Sequence, residues 1–321
     1  MARPAPLSLP PLSLGAGAFS GRYNATDERD MCATVKVAFS HGLTLIDTSP
    51  YYNDSEYTVG RALAALDPQE FPRESYLVAT KVGRYGEKVK DFDYSRARVR
   101  HSVQESLARM GLEYLDIVYV HDVEFLPNEA VNTALPELFS LQREGIIRRV
   151  GISGYPLPVI IDIAEKQCNK GQPLDAILSY SQCTLHSTTL CSSVQRLREA
   201  GVRNVLNASP LSMGLFRSTG PPSWHPANPA LREQASQCAK YCSNSVKDEL
   251  PIECVATSWS LSQAKEHGID STVIGCCKAQ EVLQALDALN CSSGPSNNLR
   301  EKWKACRAIL APSLDQNWTS P

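Results

Sequence analysis

Residues Leu43 to Gly60 read LTLIDTSPYYNDSEYTVG. Leu43, Thr44, Leu45 and Ile46 form a short apolar run with β-branched members, the pattern of a buried strand. Asp47 ends the run with a charge. Thr48, Ser49 and Pro50 then signal a turn, and Tyr51 and Tyr52 follow. Glu56 opens a helical pattern that continues through Val59, Leu63 and Leu66. An acid therefore stands at the carboxyl end of a strand, and a phenol lies in the loop just beyond it.

The same strand-then-helix pattern repeats outward in both directions. Strands are expected at Leu12–Phe19, running into a Gly-rich turn, then at Leu43–Asp47, Tyr76–Lys81, Leu115–His121, Ile147–Ser153, Ala176–Ser181, Val202–Ala208 and Ser271–Ile274. Helical spacing marks 27–41, 56–66, 95–110, 131–145, 157–167, 189–200, 230–245, 252–267 and 279–289. A long Gly/Pro loop covers 209–229, and 298–310 reads as an additional C-terminal helix. Strand and helix alternating in this way predict an α/β fold, a parallel (β/α)8 TIM barrel in one domain spanning 1–321. The rival is an open doubly wound sheet, which wants G-x-G-x-x-G after its first strand. Here Gly15-Ala-Gly17 is followed by Ala-Phe-Ser, so the third glycine is missing.

Composition narrows the partners. The chain has 321 residues, 43% hydrophobic and 21% charged, with a net charge of −2. That balance gives no electrostatic reason to expect nucleic acid or an anionic membrane. No apolar run approaches a membrane span, and the N-terminus is a poor signal peptide. The 11 cysteines are an odd, scattered set with no zinc-type spacing. They are expected to be reduced thiols of a cytoplasmic protein, with no metal bound.

Four polar residues fall at or just after strand ends: Asp47, Tyr52, Lys81 and His121. Singly each has an ordinary structural explanation, as a turn cap, a packed ring or a solvated strand end. Together, on strands two, three and four, they would meet at one barrel mouth. A lysine beside a phenol favours the phenolate and is expected to lower the phenol's pKa. An aspartate would hold that lysine charged, and a histidine could orient a substrate oxygen. Such a set moves a proton at a carbonyl or alcohol oxygen. Any redox step would need a bound cofactor. Tyr85, Tyr94, Trp224 and His225, in the long loops, are candidates for the pocket lining.

In this order the motifs resemble the aldo-keto reductase family over nearly the whole length. Asp47-Thr48-Ser49-Pro50-Tyr51-Tyr52 resembles D-T-A-x-x-Y, and that spacing selects Tyr52 over Tyr51. Thr80-Lys81, Leu115-Asp116 through His121, Gly151-Ile152-Ser153 and Ser209-Pro210-Leu211 match the later motifs. The resemblance implies that Asp47, Tyr52, Lys81 and His121 are the catalytic residues, with Tyr52 the acid/base. It implies that Ser153 and Gln182 bind the nicotinamide carboxamide and that Gly17 and Ala18 line the cofactor. By the same resemblance Ser209, Leu211 and Met213 line its pyrophosphate, Gly275, Lys278 and Glu281 hold its adenosine end, and Phe19 walls the substrate pocket with Tyr52 and His121.

Three positions depart from the common pattern. Gly154 stands where many members have asparagine, and Ala208 where many have a tyrosine stacked on the nicotinamide. Glu281 aligns with an arginine of many members that use the phosphorylated cofactor. A carboxylate there would repel a 2′-phosphate and suit a free ribose hydroxyl, which implies NAD. Lys278 nearby keeps NADP possible. The segments around Gln182 and Ser209 resemble the family's sugar dehydrogenases, implying a D-arabinose- or L-galactose-type aldose oxidised at C1 to a lactone. The alternatives are an NADPH-dependent aldehyde or ketone reductase of the same family and a nicotinamide-binding regulatory subunit.

Overall fold

The computed structural model describes residues 5–23, 26–243 and 250–319. Eight strands close into one parallel barrel in sequence order: β1 (Leu12–Gly15), β2 (Leu45–Asp47), β3 (Leu77–Val82), β4 (Leu115–Val120), β5 (Ile147–Gly154), β6 (Ala176–Tyr180), β7 (Asn204–Ala208) and β8 (Ser271–Gly275). β1 closes the ring by pairing with both β2 and β8. The expected first strand stops earlier than its apolar run, because Ala16–Ser20 turns into a 3₁₀ helix. Ser55 Oγ donates to Ala16 O at 2.9 Å and holds that turn against the loop after β2. The expected helix at 131–145 begins with a π turn at Ala130–Ala134 and becomes α-helical at Leu135–Arg143. The expected end of the 230–245 helix lies outside the described residues.

Strand alternation sorts the core into two layers. Ile46, Val78, Val118, Val120, Ile152, Ile177, Val205 and Ile274 pack outward in one cluster with helix residues such as Val35, Val99, Leu138 and Ile160. Leu45, Ala79, Ile117, Tyr119, Ala176, Leu178, Leu206, Ala208 and Val273 form a separate cluster that contains no helix residue, the inside of the barrel. Leu7 and Leu9 pack against that inner cluster, and Leu7 exchanges two 3.1 Å hydrogen bonds with the Asn204 side chain. The N-terminal segment thus caps the barrel floor.

A period of two then places the chemistry. Asp47 is two residues beyond Leu45, Lys81 two beyond Ala79, His121 two beyond Tyr119, and Ser153 two beyond Gly151. All four face inward, one layer above the apolar plug, at the carboxyl ends of their strands. The helix Asn297–Leu310 is additional to the eightfold repeat. It packs on Pro229–Ser243 and Ile252–His267 in a third cluster that includes Leu231, Trp259, Leu299 and Leu310.

Gly151 marks where the plug is tightest. A Cβ there would lie 2.5 Å from Ala176 O and 2.7 Å from Tyr119 Cδ1. Tyr119 is fully buried and occupies the space a side chain would need. Gly151→Ala is therefore expected to cost about 1–3 kcal/mol of stability by overpacking. This would be read as a lower denaturant midpoint at unchanged slope. A variant as stable as the parent would show that the plug yields.

Candidate active site

The site is built around a buried ion pair. Lys81 Nζ donates to Asp47 Oδ1 at 2.5 Å and to Thr48 O at 2.9 Å. Lys81 is 1% exposed and Asp47 4%. Burial works against the Lys81 ammonium, but Asp47 and Tyr52 outweigh it and hold its pKa above the ordinary lysine value.

Tyr52 follows in the turn closed by Tyr52 N to Ser49 O at 3.0 Å. The Lys81 ammonium lies 4.8 Å from its ring centroid. The His121 ring stands edge-on to it at 5.9 Å. Lys81 pulls the Tyr52 pKa down, as expected, but burial is the larger effect, and Asp47 and Asp122 add to it. The phenol therefore titrates above its ordinary value, which corrects the expectation of a lowered pKa. In the resting site Tyr52 is protonated. Burial also pushes the His121 imidazole well below the ordinary histidine range, with Lys81 and Arg84 adding to the effect.

Arg84 and Asp122 are site residues that the sequence reading did not single out. Arg84 Nη1 donates to Asp122 Oδ2 at 2.5 Å and Nη2 to Tyr51 Oη at 2.9 Å, with the guanidinium 3.9 Å from the Tyr51 ring centroid. Arg84 and Asp122 are both buried and line the cleft. Asp122 has left-handed backbone, φ 48°. Tyr94, expected in the pocket lining, lies behind it: its hydroxyl donates to the backbone carbonyls of His121 and Asp122 and anchors both. A long-range arginine partner from another loop has no local signal. Glu56 is buried too, accepting from Thr80 Oγ1 at 2.6 Å and Arg109 Nε at 2.8 Å, so it ties the motif's helix to β3.

A cleft of about 1240 Å³ runs from these residues across β7 and β8 to the helix Ala279–Ser293. It is lined by Asp47, Tyr52, Lys81, His121, Gly17, Ala18, Ser153, Ser209, Leu211, Met213, Gly275, Lys278 and Glu281, all expected from the sequence, and by Trp224. Phe19 and Gln182, expected from the resemblance, lie off this lining. Phe19 is buried in the outer core cluster. Gln182 has its amide engaged elsewhere: Nε2 donates to Tyr155 O at 3.1 Å and Asn317 Oδ1 at 3.0 Å, while Oε1 accepts from Ser187 and Thr189. Tyr85 and His225 are likewise absent from the lining. His225 Nε2 bonds Ser212 O at 2.7 Å.

The cleft fits a nicotinamide dinucleotide on two observations. Among the described residues Ser153 Oγ and Asp47 Oδ2 are buried polar atoms without a hydrogen-bond partner, and both residues line the cleft with Tyr52. Such atoms suit the hydroxyl and amide groups of a bound ligand. Past β7 the chain turns through left-handed Ser209, Ser212, Met213 and Gly214, with φ of 56°, 49°, 57° and 87°. At the far end, Glu281 Oε2 accepts from Cys277 N at 2.7 Å and Lys278 N at 3.2 Å. Its charge caps the helix there, with one carboxylate oxygen engaged by the backbone.

A model of the Aldo/keto reductase family matches residues 11–301. The chain belongs to that family. Among curated relatives, D-arabinose 1-dehydrogenase of Saccharomyces cerevisiae is 41% identical over 303 residues, 92% of this chain and 87% of the relative. L-galactose dehydrogenase of Arabidopsis thaliana is 35% identical over 317 residues, 98% and 94% of the two chains. Among solved structures, an aldo-keto reductase from Bacillus halodurans superposes with a TM-score of 0.71 at 20% identity, covering 95% of this chain and 94% of that one, a likeness of fold. As an aldo/keto reductase the chain is an oxidoreductase of a family that uses nicotinamide cofactors. Among the described residues no His/Cys/Asp/Glu group is placed to hold a metal ion, and no helix is long and apolar enough to cross a membrane. All 11 cysteines carry free thiols.

The buried histidines set an acid limit. His121 and His225 are held below their ordinary range, and burial pushes His186 down to about 4. Each stays neutral in the fold and charges in the unfolded chain. Their contribution to stability is complete above about pH 6.5, the unfolded value, and is lost as pH falls below it. His121→Gln should flatten the decline in stability measured by denaturation between roughly pH 6.5 and 5. An unchanged slope would mean that His121 takes up its proton in the folded protein as it does in the unfolded chain.

Proposed function

We propose that the chain is an aldose 1-dehydrogenase that oxidises a D-arabinose- or L-galactose-type sugar at C1 to the lactone, with NAD as the acceptor. The observation that carries this reading is the convergence of Tyr52, Lys81 and His121 on one cleft wall, together with relatives named for oxidising those two sugars over most of their length. The cyclic aldose loses a hydride from C1 and the proton of its C1 hydroxyl. A bound nicotinamide supplies the hydride acceptor that no side chain provides.

The chain's residues handle the proton. Tyr52 as phenolate takes it from the C1 hydroxyl, and Lys81 beside the ring stabilises that phenolate. Asp47 keeps Lys81 in place and charged. His121, neutral, binds the C1 oxygen. At the mouth, the Arg84 and Arg22 guanidinia lie 3.9 and 4.8 Å from the Tyr51 ring centroid, and Trp224 packs edge-on to Tyr23 at 5.3 Å. Aromatic faces interleaved with hydrogen-bond donors suit a polyhydroxylated ring.

NAD is favoured by charge at the far end of the cleft. Glu253, Glu281 and Asp287 line it there and Lys278 stands against them, so a 2′-phosphate would meet net negative potential. The raised Tyr52 pKa favours a second reading, a carbonyl reductase, because a protonated phenol is the form that donates to a carbonyl oxygen.

Absorbance of the reduced nicotinamide, with D-arabinose and L-galactose as donors, separates these readings. Turnover with NAD and little with NADP is expected. Turnover with NADP alone would overturn the cofactor, and consumption of NADPH with aldehydes but no sugar oxidation would favour the reductase. Tyr52→Phe should lower kcat by roughly 10²–10⁴-fold while cofactor affinity, read by fluorescence titration, stays near that of the parent. Parent-like turnover in that variant would remove Tyr52 from its role.

A further inference from the structure

His121 is neutral in the fold, so its ring has one N–H and one bare nitrogen. Which nitrogen carries the hydrogen decides whether the ring donates to a substrate oxygen or accepts from it. The neighbours of the two nitrogens answer this. Nδ1 lies 3.1 Å from Ser49 Oγ. That oxygen already accepts the Tyr51 backbone N–H at 3.1 Å. Ser49 is fully buried, and among the described residues Nδ1 is the acceptor within reach of its hydroxyl proton. Were Nδ1 protonated, two hydrogens would face each other, or the serine proton would be buried without an acceptor, a costly arrangement. The serine O–H therefore donates to a bare Nδ1.

The other nitrogen agrees. Nε2 faces Asp122 Oδ2 at 3.5 Å. A carboxylate oxygen, here engaged by Arg84 at 2.5 Å, attracts an N–H and repels a lone pair. We infer that Ser49 is a positioning residue that fixes the proton of neutral His121 on Nε2, so that the ring presents an N–H to the cleft. Ser49 does not line the cleft and acts through the ring. The charged and titratable groups around the ring are Tyr51, Tyr52, Lys81, Arg84 and Asp122. The place of the proton in the neutral ring follows from these contacts. Its catalytic consequence, a donor at the C1 oxygen, rests on the dehydrogenase reading above.

Long-range ¹H–¹⁵N correlation of the imidazole nitrogens of the full chain without cofactor, above the ordinary histidine pKa, tests this, with His121 assigned by its absence in His121→Gln. A single Nε2–H tautomer is expected. Ser49→Ala should reduce the tautomer ratio on the order of tenfold, the factor one hydrogen bond of ordinary net strength supplies, and Ser49→Thr should restore it. A Nδ1–H signal in the parent, or a spectrum unchanged in Ser49→Ala, would overturn the inference. Should Ser49→Ala fail to fold, the parent spectrum still decides. In turnover, Ser49→Ala should lower kcat with cofactor affinity retained, and Ser49→Thr should recover it. A protein that shows the Nε2–H tautomer and its loss in Ser49→Ala, yet oxidises no aldose, would sink the dehydrogenase reading and leave the tautomer standing.

Discussion

Two opposite charges, Lys81 and Asp47, are buried side by side at the top of the barrel, 2.5 Å apart. Neither is tolerable alone: an unpaired charge at such depth costs several kcal/mol, of order 3–5 when one partner is removed. The pair therefore fixes the relation of β2 to β3, since Asp47 registers with Ala79, two residues before Lys81. It also sets the electrostatics of everything above it. The local sum is close to neutral, so the ammonium influences Tyr52 and His121 without flooding the cleft with positive potential. Arg84 and Asp122 repeat the arrangement one strand further, again at 2.5 Å. The reactive phenol and imidazole lie between two buried ion pairs.

This explains why the phenol's acidity went the other way from a simple reading of its neighbours. A lysine next to a tyrosine lowers the pKa only where its field exceeds the loss of solvation. Here much of that field is cancelled by Asp47, and Asp122 adds its own negative charge. The resting protein holds a proton on Tyr52, and a phenolate forms against that bias.

Much of the fold was legible in the chain. Eight apolar runs with turn residues after them are a repeating local signal, and their position at strand ends pointed Asp47, Lys81 and His121 to one barrel mouth. Boundaries shifted where tertiary contacts compete, as at Ala16, whose carbonyl is captured by Ser55. The site was legible where one residue at a strand end suffices. It was not legible where function depends on a partner from another loop or on left-handed backbone: Arg84 reaching Asp122, Ser49 reaching His121, Asn317 occupying the amide of Gln182. Glu281 shows the same limit, since a carboxylate three residues after a helix start caps that helix whatever else its charge implies.

Tyr119, set beneath Lys81 and opposite Gly151, has one more consequence. The inner cluster it shares with Ala79, Ile117, Ala176 and Leu206 is buried and apolar, and the N-terminal segment packs against it from below. The barrel is a stoppered vessel. Asp47, Lys81 and Tyr52 open on the cleft, so protons reach and leave Tyr52 by way of its mouth. Whatever occupies that mouth governs the pace at which the site exchanges protons with solvent.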